Sequence, residues 1–326
     1  DPYFDKDNLG ETKGIEHPHW VGIPIHSIKN ILESAEDNDL KVLIDFHTHI
    51  GGSSYGSYSG TWPNAPRFWN DNTKAVDNIR IIIGKFCNWI KQNPKAMKGL
   101  YGITPMNEPA HLAGIDTFYN KYKIWGSDKE KRIDDIQKVL NESIDVFRNS
   151  ELQDHGVKLI MNIIETSTDD FKDNMKVWKK WWENQTSSIE RKKWAALDLH
   201  HYEAWTDKYN SDNIKSSKEC MGLVKNKDWD RIYGSIRDKL VSKEDLFYMT
   251  EFSNSLEHDT SKSYASGLIK NSDAKNIRNI FYKKQINAIK KNKIRGFFWT
   301  WDIPYNKNYQ NEWSFLRLSK DINKIN

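Results

Sequence analysis

Short apolar runs separated by longer amphipathic stretches organise the chain. The runs are Lys41–His47, Leu100–Asn107, Val157–Ile164, Trp194–Tyr202, Leu246–Phe252 and Ile294–Trp301. Each has the length of a strand, and several are rich in β-branched or aromatic residues. The stretches between them carry a helical period. Asn78–Gln92 places Ile79, Ile82, Ile83, Phe86 and Ile90 on one face, and Ile133–Phe147 does the same with Ile136, Leu140 and Ile144. Asp170–Trp182 and Ala274–Ile289 behave likewise. Strands alternating with helices predict a parallel sheet with right-handed crossovers. No glycine-rich phosphate loop follows any run, whereas polar and acidic residues recur at the C-terminal ends, where closed barrels place their chemistry. The pattern therefore favours a (β/α)8 TIM barrel over an open sheet.

Six runs fall short of the eight strands that closure needs. Val21-Gly22-Ile23-Pro24-Ile25 offers a weak seventh, disfavoured by Pro24 and by its length. Residues 1–20 are polar and carry no strand pattern. The expectation is a single domain over residues 1–326, a barrel that starts after its first one or two βα units. The alternative is an open α/β sheet, complete as it stands.

Composition narrows the function classes. A chain of 326 residues suits one barrel domain, which commonly takes about 250 or more. The formal charge of +4 comes from 49 basic and 45 acidic residues, interspersed along the chain. Lys129–Arg132 and Lys290–Lys293 read as solvated helix faces and turns, and no basic stripe suits a phosphate backbone, so nucleic acid is not an expected partner. No apolar run approaches the about 20 residues of a membrane span. Two cysteines make neither a disulfide framework nor a structural zinc site, and Cys87, inside the apolar run Ile81–Ile90, reads as a buried thiol. The sequons at Asn141 and Asn184 both fall in helical context, which makes them weak acceptors. Aromatic residues reach 13%, with 14 Trp and 14 Tyr. Flat apolar rings with polar edges suit the faces of sugars, although most of these side chains are expected to fill the core.

The chemistry lies at the run ends. Met106-Asn107-Glu108-Pro109 follows the second run, and a carboxyl there, partly buried, can be kept protonated as a general acid. Asn107 is placed to hydrogen-bond a sugar 2-hydroxyl. Glu251 interrupts the apolar run Leu246–Phe252, where a carboxylate is costly unless paired or functional. Two such glutamates at separate strand ends of one barrel are what glycoside cleavage requires, one as acid and one as nucleophile. Between them comes Asp198-Leu199-His200-His201-Tyr202, in which strand alternation points His200 and Tyr202 to one side and His201 to the other. His47-Thr48-His49 ends the first run, and the Gly/Ser/Tyr stretch from Gly51 to Trp62 follows it as a candidate cleft loop. Alternation over Phe298-Trp299-Thr300-Trp301 puts both Trp rings on one face, one as a platform under a sugar and the other in the core. A metal held by His47, His49, His200 and His201 is a minority reading, since no cysteine joins them and no pair has helical i, i+4 spacing. No metal or other cofactor is called for.

Ile44-Asp45-Phe46-His47, Asn107-Glu108-Pro109, His200-His201-Tyr202, Thr250-Glu251-Phe252 and Phe298-Trp299-Thr300-Trp301, in this order, resemble family-5 glycoside hydrolases, the cellulase-type barrels. The likeness runs from about Lys41 to the C-terminus. Within the family it is nearest to fungal-type exo-β-1,3-glucanases, carried by Leu197–Tyr202, Phe298–Trp301 and Glu312-Trp313-Ser314-Phe315, with Asp1-Pro2-Tyr3 resembling the segment after their second strand. The resemblance implies a retaining enzyme acting on β-glucan in the secretory pathway or outside the cell, and the chain is expected to be monomeric. It implies that His47 and Asn107 bind the sugar, that Glu108 is the acid/base, and that His200 and Tyr202 support the nucleophile Glu251. Trp299 is the implied platform, with Trp301 beside it at the cleft. The family's early arginine has no counterpart before Arg67, which fits a barrel entered after its first units. The loop after His47 and Asp302, where the family usually has Lys, depart from the glucanase pattern at the cleft. The resemblance implies an exo-β-1,3-glucanase, with an endo-β-1,4-glucanase as the alternative that these departures keep open. A catalytically silent carbohydrate-binding barrel is the reading from another class.

Overall fold

The computed structural model describes residues 24–50, 52, 68, 72–109, 129–165, 171–205, 214–256, 271–302 and 310–322. The chain divides into two compact units, one of Asp1–Ile163 with Trp181–Ala196 and one of Ile164–Lys180 with Leu197–Asn326.

In the first unit α1 (Ile25–Asp37) leads to β1 (Val42–Asp45), and α2 (Asn72–Lys91) and α3 (Pro94–Gly99) lead to β2 (Leu100–Thr104). Next, α4 (Lys129–Ser150) leads to β3 (Lys158–Glu165), which this unit holds as far as Ile163. β1 pairs with β2 and β2 with β3, both in parallel. Gly102 on β2 stands opposite Lys158 where a Cβ would come within 2.7 Å of the Lys158 carbonyl oxygen, so the close approach of the strands needs glycine. α2 buries Ile79, Ile83, Phe86, Cys87 and Ile90, and α4 buries Ile136, Leu140, Ile144 and Phe147, the faces that the periodicity marks. Burial pushes the Cys87 thiol up to about 11, as suits an inert core residue. Asn141 on α4 accepts a hydrogen bond from Trp181 Nε1 at 3.0 Å, so this sequon asparagine is part of the packing. The last turn of α5 (Phe171–Gln185) is followed by α6 (Ser188–Lys193), whose capping box joins Ser187 and Glu190. Leu159 N then donates to Trp194 O at 2.9 Å, which brings the start of β4 (Ala195–His201) alongside β3.

The second unit continues β4 through α7 (Ser217–Asn226), α8 (Trp229–Leu240), β5 (Phe247–Phe252), α9 (Asn271–Lys291) and β6 (Arg295–Phe298). α10 (Gln310–Trp313) and α11 (Phe315–Ile322) follow. β4 pairs with β5 and β5 with β6, again in parallel. β4 is buried along its whole length and β5 along nearly all of it, the condition of a parallel strand covered on both faces. α7 and α8 are capped by Ser216 and Asp228, whose side chains accept from Glu219 N and Arg231 N.

Each of the six apolar runs coincides with a strand; five strands are shorter than their runs, and β3 has the length of its run, shifted one residue onward to Glu165. The weak seventh run is corrected: Ile25 opens α1 directly after Pro24, a residue preorganised for a helix start, and residues 21–23 lie outside the described ones. The last run stops being a strand at Phe298, and the Trp299–Thr300 peptide is cis. Residues 1–20 and, apart from Gly52, the stretch from Gly51 to Trp62 also lie outside the described residues. Among the described residues no helix is long and apolar enough to cross a membrane.

Candidate active site

In the first unit the chain leaves β2 and turns at Glu108, which is buried and has φ of 43°, a left-handed conformation uncommon for a residue with a side chain. Its N–H donates to Asn162 Oδ1 at 2.9 Å, and Asn162 is fully buried on β3. Such a backbone persists only where its surroundings over-determine it, and it clusters at working sites. Beside it, buried Asn107 reaches His47, with Nδ2 3.5 Å from Nε2. His47 Nδ1 lies 2.6 Å from Asp45 Oδ2. The Asp45 carboxylate accepts a hydrogen bond from Nδ1–H, which in the neutral ring leaves Nε2 as the acceptor facing Asn107. His49 does different work. Its Nε2 lies 3.0 Å from the Pro105 carbonyl oxygen and its ring meets Phe68 edge-on. Burial, opposed by that hydrogen bond, lowers its pKa to about 4, so His49 is a neutral packing residue.

In the second unit the placement of Glu251 depends on a break in strand register. Asp198 pairs with Tyr248, but the next pair is His200 with Glu251, so Met249 and Thr250 on β5 stand against Leu199 alone. From β6 the same irregularity appears, with Thr250 and Glu251 against Phe297. This is a β-bulge, a device that re-aims side chains. Unbroken pairing would set Thr250 beside His200 and Glu251 beside His201, on the opposite face. The extra residue brings Glu251 to the side of His200 and Tyr202. Tyr202 Oη donates to Glu251 Oε2 at 2.5 Å, and His200 Nδ1 lies 3.4 Å from the same oxygen. The Tyr202 ring is backed by Trp313 at 5.3 Å between centroids.

His201 turns the other way, as alternation predicts. Its ring packs edge-on against Trp229 and Tyr233, and its Nε2 lies 3.2 Å from Glu203 Oε1. Lys227 Nζ approaches the same Glu203 oxygen at 2.5 Å. Burial works against the charge on Glu203, yet His201 and Lys227 hold its pKa down to about 2.

Trp299 and Trp301 correct an expectation. Both rings are exposed, at 40% and 64%, so neither fills the core. With the strand ended at Phe298, alternation no longer governs them. Their backbone is fastened instead to the α10–α11 junction: Thr300 N donates to Trp313 O at 2.6 Å, Phe315 N to Thr300 O at 2.8 Å and Leu316 N to Trp301 O at 2.9 Å. Asp302 accepts from Ser314 Oγ at 2.8 Å and Arg317 Nε at 3.3 Å, and the Trp301 ring lies 6.0 Å from that of Phe315. Glu312 is buried with Arg278 Nη1 at 3.6 Å and Ser255 Oγ at 3.4 Å. Burial outweighs these partners and pushes its pKa up to about 7.

Within the units, then, His47 meets Asn107, and both His200 and Tyr202 meet Glu251. Sequence reasoning passed over the holders: Asp45 beneath His47, Asn162 beneath Glu108, and Asp198 with Thr250 beside His200. Asn162 had a signal, a lone amide inside the apolar stretch Leu159–Ile164. The bulge had none, because nothing in the sequence of β5 marks Thr250 as the extra residue.

The sequence matches no protein-family model and no curated protein. Its structure resembles solved structures. Rutinosidase from Aspergillus niger aligns with a TM-score of 0.59 at 13% identity, over 95% of this chain and 75% of that one. PbGH5A, a glycoside hydrolase family 5 enzyme from Prevotella bryantii B14, aligns with a TM-score of 0.57 at 12% identity, over 98% and 79%. A GH5-4 broad specificity endoglucanase from an uncultured bacterium aligns with a TM-score of 0.59 at 12% identity, over 92% and 74%. These likenesses show a shared fold: six parallel strands with their helices fit part of a (β/α)8 barrel.

Proposed function

We propose that the protein is a retaining β-glycosidase that hydrolyses β-glucan, with Glu251 as nucleophile and Glu108 as acid/base. The observation that carries this reading is the buried Glu251 carboxylate, set by a bulge against the Tyr202 hydroxyl and the His200 imidazole. A hydrogen-bonded carboxylate keeps its charge and its aim, the two properties a nucleophile at an anomeric carbon needs. The likeness in fold to enzymes named as rutinosidase and endoglucanase supports the same class.

Glu251 attacks the anomeric carbon while Glu108 protonates the departing glycosidic oxygen, which gives a glycosyl ester on Glu251. Glu108, now a carboxylate, takes a proton from water as the water releases the sugar with net retention. Retention requires the two carboxyls at about 5–5.5 Å, against about 6.5–9.5 Å for inversion. Asn107, aimed by the Asp45–His47 pair, contacts the sugar hydroxyls, and Trp299 offers its face to the ring in the cleavage subsite. The enzyme acts as a monomer, needs no cofactor, and works outside the cell or in the secretory pathway.

For linkage, the run Asp198–Tyr202 and the tail Glu312–Phe315 favour an exo-acting β-1,3-glucanase. A second reading, an endo-β-1,4-glucanase, is favoured by the second exposed ring, Trp301, which extends the apolar surface beyond one sugar. Hydrolysis of laminari- and cello-oligosaccharides measured side by side separates the two. The expected result is faster turnover of the β-1,3 series and a loss of roughly 10³-fold or more in kcat for Glu251→Gln. Faster β-1,4 turnover replaces the linkage and leaves the class. Full activity in Glu251→Gln, or tight sugar binding by wild type without turnover, removes the glycosidase reading.

A further inference from the structure

We infer that Asp198 is a positioning residue for Glu251, acting by holding the β5 bulge; the inference rests on the glycosidase reading given above. Asp198 is fully buried on β4 and lies on the same face as His200. A buried carboxylate needs donors for both oxygens, and a bulge leaves an extra backbone N–H without its ladder partner. Here each need meets the other. Asp198 Oδ1 accepts from Thr250 N, the extra residue, at 2.7 Å. Asp198 Oδ2 accepts from Thr250 Oγ1 and lies 3.5 Å from His200 Nε2, which is itself 3.2 Å from Thr250 Oγ1. One side chain thus fastens the residue next to Glu251 and steadies the imidazole whose other nitrogen faces Glu251.

Charge-assisted bonds from a carboxylate to a backbone N–H are among the stronger ones, which fits the task of keeping an irregular backbone in one register. Without that acceptor the Thr250 amide loses the bond that fastens it, and β5 relaxes toward regular pairing. Regular pairing turns Glu251 away from Tyr202. Asp198 touches no substrate in this scheme; its effect passes through Thr250 and His200.

The two substitutions at this position separate its two tasks. In Asp198→Asn the amide oxygen still accepts from Thr250 N, but Nδ2 cannot accept from the Thr250 hydroxyl. Asp198→Ala loses both bonds. The experiment combines amide hydrogen exchange at Thr250 in the unliganded protein with kcat and KM per active site, titrated with a slow substrate. Expected are wild-type protection of the Thr250 amide in Asp198→Asn and its loss in Asp198→Ala. Expected too is a fall in kcat of about 10-fold and about 100-fold respectively, with KM within about threefold, since small misplacement of a reacting group acts on the transition state. A role in stability alone lowers the number of active sites and leaves turnover per site unchanged. Turnover per site within about threefold of wild type in both variants overturns the inference. So does Thr250 protection unchanged in Asp198→Ala, or in Asp198→Asn alone a wild-type kcat should the alanine variant not fold. If the wild type hydrolyses no glycoside, the functional reading fails separately, and the Thr250 amide still decides whether Asp198 holds the bulge.

Discussion

At the scale of single residues, one carboxylate oxygen of Glu251, Oε2, is met by both a phenol and an imidazole. Tyr202→Phe removes the shorter of these contacts and nothing of the ring that stacks on Trp313. The expected outcome is a stable protein with kcat reduced about 10- to 100-fold and KM little changed, read by steady-state kinetics on an aryl β-glucoside. Unchanged kcat would show that the hydroxyl does no work on Glu251. Glu108 and Glu251 stand out in the sequence as candidates because a carboxyl that ends an apolar run contrasts with its neighbours. The face that Glu251 occupies was not legible there, since it depends on one extra residue in β5 and so on tertiary pairing. The expectation that one of Trp299 and Trp301 fills the core failed for a similar reason. Period-two alternation holds only while the strand lasts, and β6 stops at Phe298.

At the scale of elements, long periodic stretches announced themselves. Runs of buried aliphatics gave the strands, and α2, α4, α5 and α9 followed from their apolar faces. α1 was missed although Ile25, Ile28, Leu32 and Ala35 carry a helical period, because Gly22 and Pro24 drew attention to a broken strand instead. α3 and α6, at six residues each, are too short to show a period. Two buried carboxyls, Glu312 on α10 and Glu203 just after β4, have pKa values shifted in opposite directions. Glu312, with an ordinary value of 4.5, is raised to about 7, so between these values the folded state keeps a proton that the unfolded state has lost. Its contribution to stability is therefore present below about 4.5 and is lost as pH rises to about 7. Glu203 is lowered to about 2, so its contribution is present above about 4.5 and is lost as pH falls toward 2. Glu312→Gln cannot titrate. Across pH 4.5 to 7 its stability relative to wild type should improve by on the order of 3 kcal/mol, seen in denaturant midpoints taken at several pH values. A constant difference across that range would show that Glu312 does not change its protonation there.

At the scale of the whole molecule, alternation of strands and helices was enough to predict a parallel α/β architecture, and structures at 12–13% identity share it. So little identity suffices because a strand buried on both faces needs apolar bulk in the right period more than it needs particular residues. Linkage preference was less legible, since it depends on how cleft loops shape the subsites, and the stretch from Gly51 to Trp62 departs from the glucanase pattern. The central claim is a covalent glycosyl ester on Glu251. Incubation with an activated 2-deoxy-2-fluoro-β-glucoside slows release of the ester, and peptide mapping by mass spectrometry then locates it. The expected result is one added fluoroglycosyl group, on the peptide carrying Glu251, with activity lost in step. A label on another residue, or turnover with no covalent adduct and inversion at the anomeric carbon, would contradict it.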